Sequence, residues 1–461
     1  MKARDNRTTN PIVVLLSILL LAGALTYFID SGEYARDGKL VIANSYQTLE
    51  KTANLSTLFS SPANQDQTTV SAVSFIDILL AIPQGLEKGS GLIFMVLIIG
   101  GMFGLLTNSG AIDAGLERVM SLVKGNVTTL VVCLMFLFSA GSTFLGLASE
   151  YLLVIPIMVA LSQRLGIPHI IGFAIVCVSV KAGYLSSVTN PLPLTIAQPL
   201  LDIPVFSGAG MRFVFFLVFT IVGIAFVLWT IKKAGGINNE DIEFSMKKLS
   251  LRHFSMLMIL IASIGFLVYA SNEWHWKHKA LSAYYIGVSI LLAVVSGMAA
   301  SQAADAFVDG MKKVLLASFL IGVATAVAVV LEQGRILDTI IYHLMSMIGD
   351  NNATLSAIGM FFSQLLLDFM IPSTSGQAAV SMPILGPIGQ LSGVSPQTTL
   401  LSFLFGNGIT NMITPTSGTL LAYLATARVS WTDWAKYILP LWTIFIVLAM
   451  LLLAISVAIG F

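Results

Sequence analysis

Two Thr-Asn pairs stand where apolar segments should run unbroken. Thr189 and Asn190 lie in SSVTNPLPLTIAQP (186–199), with Pro191, Pro193 and Pro199; Thr410 and Asn411 lie in ITNMITPTSG (409–418). Proline removes a backbone donor and cannot continue an ordinary helix. Hydrocarbon offers nothing to the freed carbonyls, so each break must face protein or water. A break also leaves N–H groups on one new helix end and carbonyls on the other. The first kind of end draws anions, the second cations. Two breaks meeting in one cavity would suit a carboxylate-bearing solute together with a coupling cation.

The neighbouring side chains fit that chemistry. Thr195 follows the first pair; Thr414, Thr416 and Ser417 follow the second. Two more apolar stretches break at small-residue tips. FSAGSTFLGLASEYLLVIP (138–156) carries Ser142, Thr143 and Ser149; LDFMIPSTSGQAAVSMP (367–383) carries Ser373, Thr374, Ser375 and Gln377. Hydroxyl and amide oxygens on glycine-loosened backbone suit hydrogen bonding to carboxylates, and suit sodium at Thr189, Asn190, Thr410 and Asn411. The blander account is that these groups satisfy kinked helices or let helices pack closely.

Three ionisable residues lie deep: Glu150 after the first tip, Asp368 before the second, and Lys181 nine residues before Asn190. A charge at the bilayer centre costs about 2.5–3.5 kcal/mol on the insertion scale, so such residues tend to face a cavity. Glu150 is a candidate for a substrate ammonium, a cation or a proton. Asp368 acts there or caps locally. Lys181 pairs with a substrate carboxylate, pairs with Glu150, or snorkels.

Composition sets the class. The 461 residues are 56% hydrophobic and 10% charged, with a net charge of +1, against roughly 25% charged in soluble proteins. Too little charge remains to cover a soluble surface, so the chain is an all-α polytopic membrane protein. The near-neutral balance gives no reason to expect nucleic acid. Five scattered histidines form no ligand set, and Cys133 and Cys177 read as small buried hydrophobes. No cofactor or resident metal is expected, only a coupling ion, sodium or a proton. A Walker motif and G-x-S-x-G are both absent, which argues against ATP drive within the chain and against a serine enzyme.

Hydropathy places spans near 11–29, 90–108, 168–202, 211–231, 253–271, 283–299, 314–332, 397–427 and 432–459. Regions 127–163 and 353–392 are too long for one span and break centrally, which predicts two re-entrant hairpins. Lys2, Arg4 and Arg7 precede an apolar run with a signal-like Ala22-Gly23-Ala24, but the run continues to Ile29, so a retained first helix is expected. Lys232, Lys233, Lys247, Lys248, Arg252, Lys312, Lys313, Arg428 and Lys436 then share the side of the basic N-terminus. That side is cytoplasmic by the positive-inside bias, in a bacterial inner membrane. Loops 30–75 and NEWHWKHKALS (272–282) face out, the second against the bias of its own lysines.

Self-comparison uncovers a repeat. TNSGAIDAGLERVMSLVKGN (107–126) resembles EQGRILDTIIYHLMSMIGDN (332–351). A hairpin follows each, then a broken span, VTNPLPLTIA (188–197) against ITNMITPTSG, at an offset of about 220–230 residues. The copies start on opposite sides, which predicts inverted repeats over 1–231 and 283–461, joined by a cytoplasmic linker and linking helix within 232–282. Helices 111–125 and 335–349 are amphipathic and are expected to lie flat at the interface.

GGMFGLLTNSGAIDAGL (100–116), IPSTSGQAAVSMPILGP (371–387) and FGNGITNMITPTSGTLLA (405–422) resemble the YfcC-type basic amino-acid antiporters and the related DcuC-type C4-dicarboxylate carriers of the ion transporter superfamily. The likeness runs from about residue 75 to the C-terminus. It implies inverted repeats, a dimerising scaffold, hence a homodimer, and an elevator-type transport domain. It carries ion and substrate positions onto Ser142, Thr143, Thr189, Asn190, Ser373, Ser375, Thr410 and Asn411. Asn407 departs from it, where FGDG is expected, so a carboxylate is missing there.

These observations lead us to expect a secondary active transporter for a small carboxylate-bearing solute, by ion-coupled symport or exchange. Two deep acids against one deep base favour an amino acid, basic ones included, over a C4-dicarboxylate. An intramembrane enzyme is a remote alternative, and a passive channel explains two broken halves less well.

Overall fold

A computed structural model describes residues 11–38, 40–59, 70–112, 114–115, 118, 127–235, 250–274, 276–346, 348 and 352–461. The basic N-terminus, His275, the linker around 244–248 and most of the helix expected over 111–125 lie outside the described residues.

Two 34-residue helices, α2 (Phe75–Asn108) and α10 (Ala300–Gln333), run antiparallel in intimate contact. Small residues permit it. A Cβ on Gly85 would sit 2.3 Å from the Gly322 carbonyl oxygen, and one on Gly104 would sit 2.2 Å from that of Ala306. Both helices start well before the spans expected at 90–108 and 314–332. At α2 the cause is local chemistry that a hydropathy window ignores. Ser74 and Asp77 form a capping box that begins the helix early, and Lys88 meets Glu332 of α10 at 2.6 Å. The helix α1 (Pro11–Phe28) packs on α10, and α9 (His278–Ser296) packs on α2.

Beside this pair stands a bundle built on two buried helices, α5 (His169–Ser186) and α14 (Pro396–Thr410). They are buried along nearly their whole length, polar residues included, as suits a helix surrounded by others. Against α5 lie α3 (Val127–Leu145), α4 (Val154–Arg164) and α7 (Ala209–Lys233); against α14 lie α12 (Ala353–Met370), α13 (Thr374–Leu391) and α16 (Trp431–Ala458). The two cores touch each other as well.

Both central helices stop at their Thr-Asn pairs. The chain resumes as α6 (Pro191–Ala197) after the first and as α15 (Gly418–Ala427) after the second. Region 127–163 divides into α3, a 3-10 turn (Ser149–Leu152) and α4; region 353–392 divides into α12 and α13 around 371–373. Among the described residues, eight helices are long and apolar enough to cross a membrane, and they include Thr128–Leu145 and Ala353–Met370. The first legs of both expected hairpins are therefore as long as a span.

The helix α8 (Leu251–Glu273) leads into α9, and α11 (Leu337–Ser346) follows α10. The described residues of the expected outer loop (30–38, 40–59 and 70–74) are tied down to the helices. Short antiparallel pairs such as Gly32–Glu33 with Gln47–Thr48 shape it. It is fastened to α11 by Arg36 to Asp338 at 2.7 Å and to the end of α10 by Ser31 Oγ donating to the Gly334 carbonyl at 2.8 Å.

Candidate solute and ion site

At the first break, Ser187 takes the left-handed conformation, with φ of 41°, where α5 ends. The freed backbone is taken up by the tip of 138–156. Val188 N–H donates to Thr143 Oγ1 at 3.0 Å, and Thr189 N–H donates to the Thr143 carbonyl at 3.1 Å. Thr189 Oγ1 donates to the Phe144 carbonyl at 3.0 Å, and Ser142 Oγ to the Val180 carbonyl at 2.8 Å. Asn190 caps α6, its Oδ1 accepting from Leu192 N–H at 3.0 Å. The Val188 carbonyl accepts from Arg212 at 3.1 Å, and the same guanidinium donates to the Ser207 carbonyl at 2.6 Å. Side chains here bond backbone.

The second break is arranged differently. Asp368, fully buried on α12, accepts through Oδ1 from Asn407 Nδ2 at 2.6 Å and from Asn411 Nδ2 at 2.8 Å. Asn407 Nδ2 also reaches Gln377 Oε1 at 2.8 Å, and Asn407 Oδ1 accepts from Tyr184 at 2.5 Å and Thr374 at 3.3 Å. Gln377 continues to Gln364 at 2.9 Å, and Asn411 Oδ1 accepts from Ser417 Oγ at 2.8 Å. Side chains here bond side chains, around one carboxylate. The backbone of this break is served from outside the network. Trp434 Nε1 donates to the Met412 carbonyl at 2.8 Å and Trp431 Nε1 to that of Ile413 at 2.7 Å, while Thr410 Oγ1 donates across to the Leu365 carbonyl of α12 at 2.7 Å.

A cavity of about 410 Å³ opens between the two breaks and both tips. Volumes of roughly 300–1,000 Å³ are usual for small-molecule sites. Of the fourteen residues expected at a site, eight line it: Ser142, Glu150, Asn190, Ser373, Thr374, Ser375, Asn407 and Asn411. Thr143, Thr189, Gln377, Thr410 and Thr414 stand behind the wall, Thr414 bonded to Thr416 at 2.7 Å. Thr195 lies on an exposed face of α6, donating to the Pro191 carbonyl at 2.7 Å. Its place one turn past the break suggested a nearness that the helix rotation removes.

Charge reaches the cavity from several sides. Lys181 lines it and has no hydrogen-bond or ion-pair partner among the described residues. Glu150 lines it with Oε2 accepting from Ala148 N–H at 2.8 Å. Trp276, Lys277 and His278 line it from the start of α9, so the loop whose lysines went against the charge bias puts one of them at the site. These residues, like Tyr184, Tyr423 and the buried Arg212, were not picked out from sequence. Tyr184 had a signal, one turn before the break; the α9 contribution had none, being long-range. The carboxylate missing at 407 is matched by the Asp368 carboxylate, bonded to the Asn407 amide from the facing helix.

A broken-helix cavity inside an apolar bundle is a carrier's geometry, and comparison with known proteins agrees. Residues 9–458 match the family described as "DcuC: C4-dicarboxylate anaerobic carrier". The chain belongs to the DcuC family. It is 30% identical over 383 residues to an Escherichia coli (strain K12) protein named "Putative basic amino acid antiporter YfcC", covering 77% of this chain and 76% of that one. It is 23% identical over 489 residues to an uncharacterized protein of Haemophilus influenzae (strain ATCC 51907 / DSM 11121 / KW20 / Rd), covering 96% of each. Among solved structures, the YdaH transporter of Alcanivorax borkumensis aligns at a TM-score of 0.45 and 14% identity, over 98% of this chain and 99% of that one. The DcuC family is described as a carrier and the Escherichia coli relative as an antiporter, which are membrane transporters, not enzymes.

Proposed function

We propose that this DcuC-family protein is a secondary active transporter that carries a small solute through its carboxylate, coupled to sodium or a proton or by exchange. The observation that carries the reading is the single cavity shared by both breaks, with the unpaired Lys181 ammonium on its wall. An amino acid suits it best: the carboxylate meets Lys181 and the amino group meets Glu150. Likeness to a basic amino-acid antiporter supports the same class. A C4-dicarboxylate is the second reading, favoured by Lys277 and His278 at the cavity and by the family's description.

The repeated order of elements supports two inverted halves, 1–231 and 283–461, with re-entrant hairpins at 127–163 and 353–392. In this reading the bundle around α5 and α14 moves as an elevator against α2 and α10, in a homodimer of the bacterial inner membrane with a cytoplasmic N-terminus. The glycine-packed α2–α10 pair fits a static scaffold.

The test is uptake into proteoliposomes of labelled L-arginine, L-glutamate and succinate, with sodium, proton or counter-solute gradients imposed in turn. Accumulation of one solute under one gradient is expected. No accumulation of any under any gradient, by protein that is folded and inserted, overturns the proposal.

A further inference from the structure

Lys181 and Asp368 are the two halves of a charge balance that the carrier reading leaves unused. Asp368 does not line the cavity; Asn407, Asn411 and Thr374 stand between it and the open space. One carboxylate oxygen takes two amide donors, while Oδ2 is buried with no partner among the described residues. Lys181 comes from the facing helix α5, lines the cavity, and lies within electrostatic reach of Asp368 without a direct ion pair. The cation is exposed to whatever enters, and the anion is screened behind it.

We infer that a solute carboxylate binding at Lys181 and a proton binding at Asp368 Oδ2 are linked, which makes Asp368 the coupling group of a proton-driven cycle. The inference rests on the carrier reading above. A buried pocket of low dielectric penalises net charge. With no solute bound, the Lys181 ammonium offsets the Asp368 carboxylate behind it. A solute carboxylate on Lys181 adds one negative charge, and one proton from the same aqueous side restores the balance by forming the O–H bond on Oδ2. When the solute leaves on the other side, the Lys181 charge is again offset by Asp368 alone and the proton dissociates there. One carboxylate and one proton cross together.

The surroundings leave no other partner for this role. From α5, Lys181 and the Tyr184 hydroxyl act on Asp368; α13 and α14 face it with amides and hydroxyls. Lys181 is the charged group among the described residues whose field reaches it, and Cys177 lies within the same reach of Lys181. Glu150, Lys277 and His278 also line the cavity, but among the described residues the hydrogen bonds to Asp368 come from Asn407 and Asn411 and not from any of these three. A sodium ion fits Asp368 less well, because its immediate neighbours present amide N–H groups to the carboxylate.

The experiment uses the full chain, with L-arginine and succinate as probes, a pH dye inside proteoliposomes, and infrared difference spectra of the purified protein. The wild type should move protons inward with whichever probe it takes up. It should also gain the carbonyl band of a protonated carboxylic acid when that probe is added. Asp368→Asn should lose both the band and uptake driven by a pH gradient. Lys181→Gln should carry the band at neutral pH with no probe present and raise KM by about tenfold or more, the loss of one charge-assisted hydrogen bond; Lys181→Arg should recover most of it. The exchange Asp368→Asn with Asn407→Asp returns a carboxylate to the same contact and should restore proton movement, which a purely structural role would not require. Probe uptake without proton movement, or a band indifferent to Asp368 and Lys181, overturns the inference. If neither probe enters wild-type vesicles, L-glutamate and the sodium and counter-solute gradients decide the carrier reading, and the band of Lys181→Gln without a probe decides for or against the pair.

Discussion

The two breaks share a Thr-Asn pair and a facing small-residue tip, yet they spend their side chains on different work. At the first, Thr143, Thr189, Ser142 and Asn190 all bond backbone, and Arg212 holds the Val188 carbonyl. At the second, two tryptophans serve the backbone and release the amides to surround Asp368. The same letters therefore make a joint in one half and a charge site in the other. An internal repeat preserves the interruption; what fills it is decided by which neighbour already satisfies the carbonyls.

The comparison is broken most sharply at Asn411. Asn411→Ala deletes a donor to a buried carboxylate and strands Ser417, at a cost of about 3 kcal/mol. If that cost falls on the loaded state, uptake should drop about 100-fold. Uptake in proteoliposomes beside thermal unfolding checks it, and wild-type uptake would put the second break on the same footing as the first.

Arg212→Met tests the other side. The guanidinium is wholly buried and serves two carbonyls, with its Nε lacking a partner among the described residues. Removing it leaves those acceptors dry, a loss of about 2–3 kcal/mol in stability. A lowered Tm, with the KM of correctly folded protein unchanged, is the expected result. A raised KM at unchanged Tm would mean that the first break also meets the solute.

How far the sequence went follows the same division. Both interruptions, both tips and the all-α class were legible, because proline, glycine and Thr-Asn inside an apolar run have few other uses in hydrocarbon. The early start of α2 was not, since a capping box and the distant Lys88–Glu332 pair lengthen a helix that hydropathy trims. Asp368 was picked out as deep, but its four-helix setting depends on α5, α13 and α14 arriving at one point. Arg212 was missed because an arginine at a span's edge resembles an interfacial anchor until its partners, 24 residues away at Val188 and more distant still at Gln397, are known.

Asn190 and Thr195 give the finest test, since both belong to the seven-residue α6 and only one touches the cavity. Asn190→Ala removes an N-cap, worth about 1 kcal/mol, so uptake should fall by about fivefold, far less than for Asn411→Ala. Asn190→Ser keeps an oxygen for Leu192 N–H and should recover most of the loss, which an ion ligand using the amide would not. Thr195→Val gives up a bond to the preceding turn on an exposed face. Such surface changes stay within about 0.5 kcal/mol, so uptake and Tm should both match the wild type. A large loss at Thr195 would mean that α6 turns this face toward the solute at another stage of the cycle. The contrast between a structural first break and a chemical second one would then hold for one conformation alone.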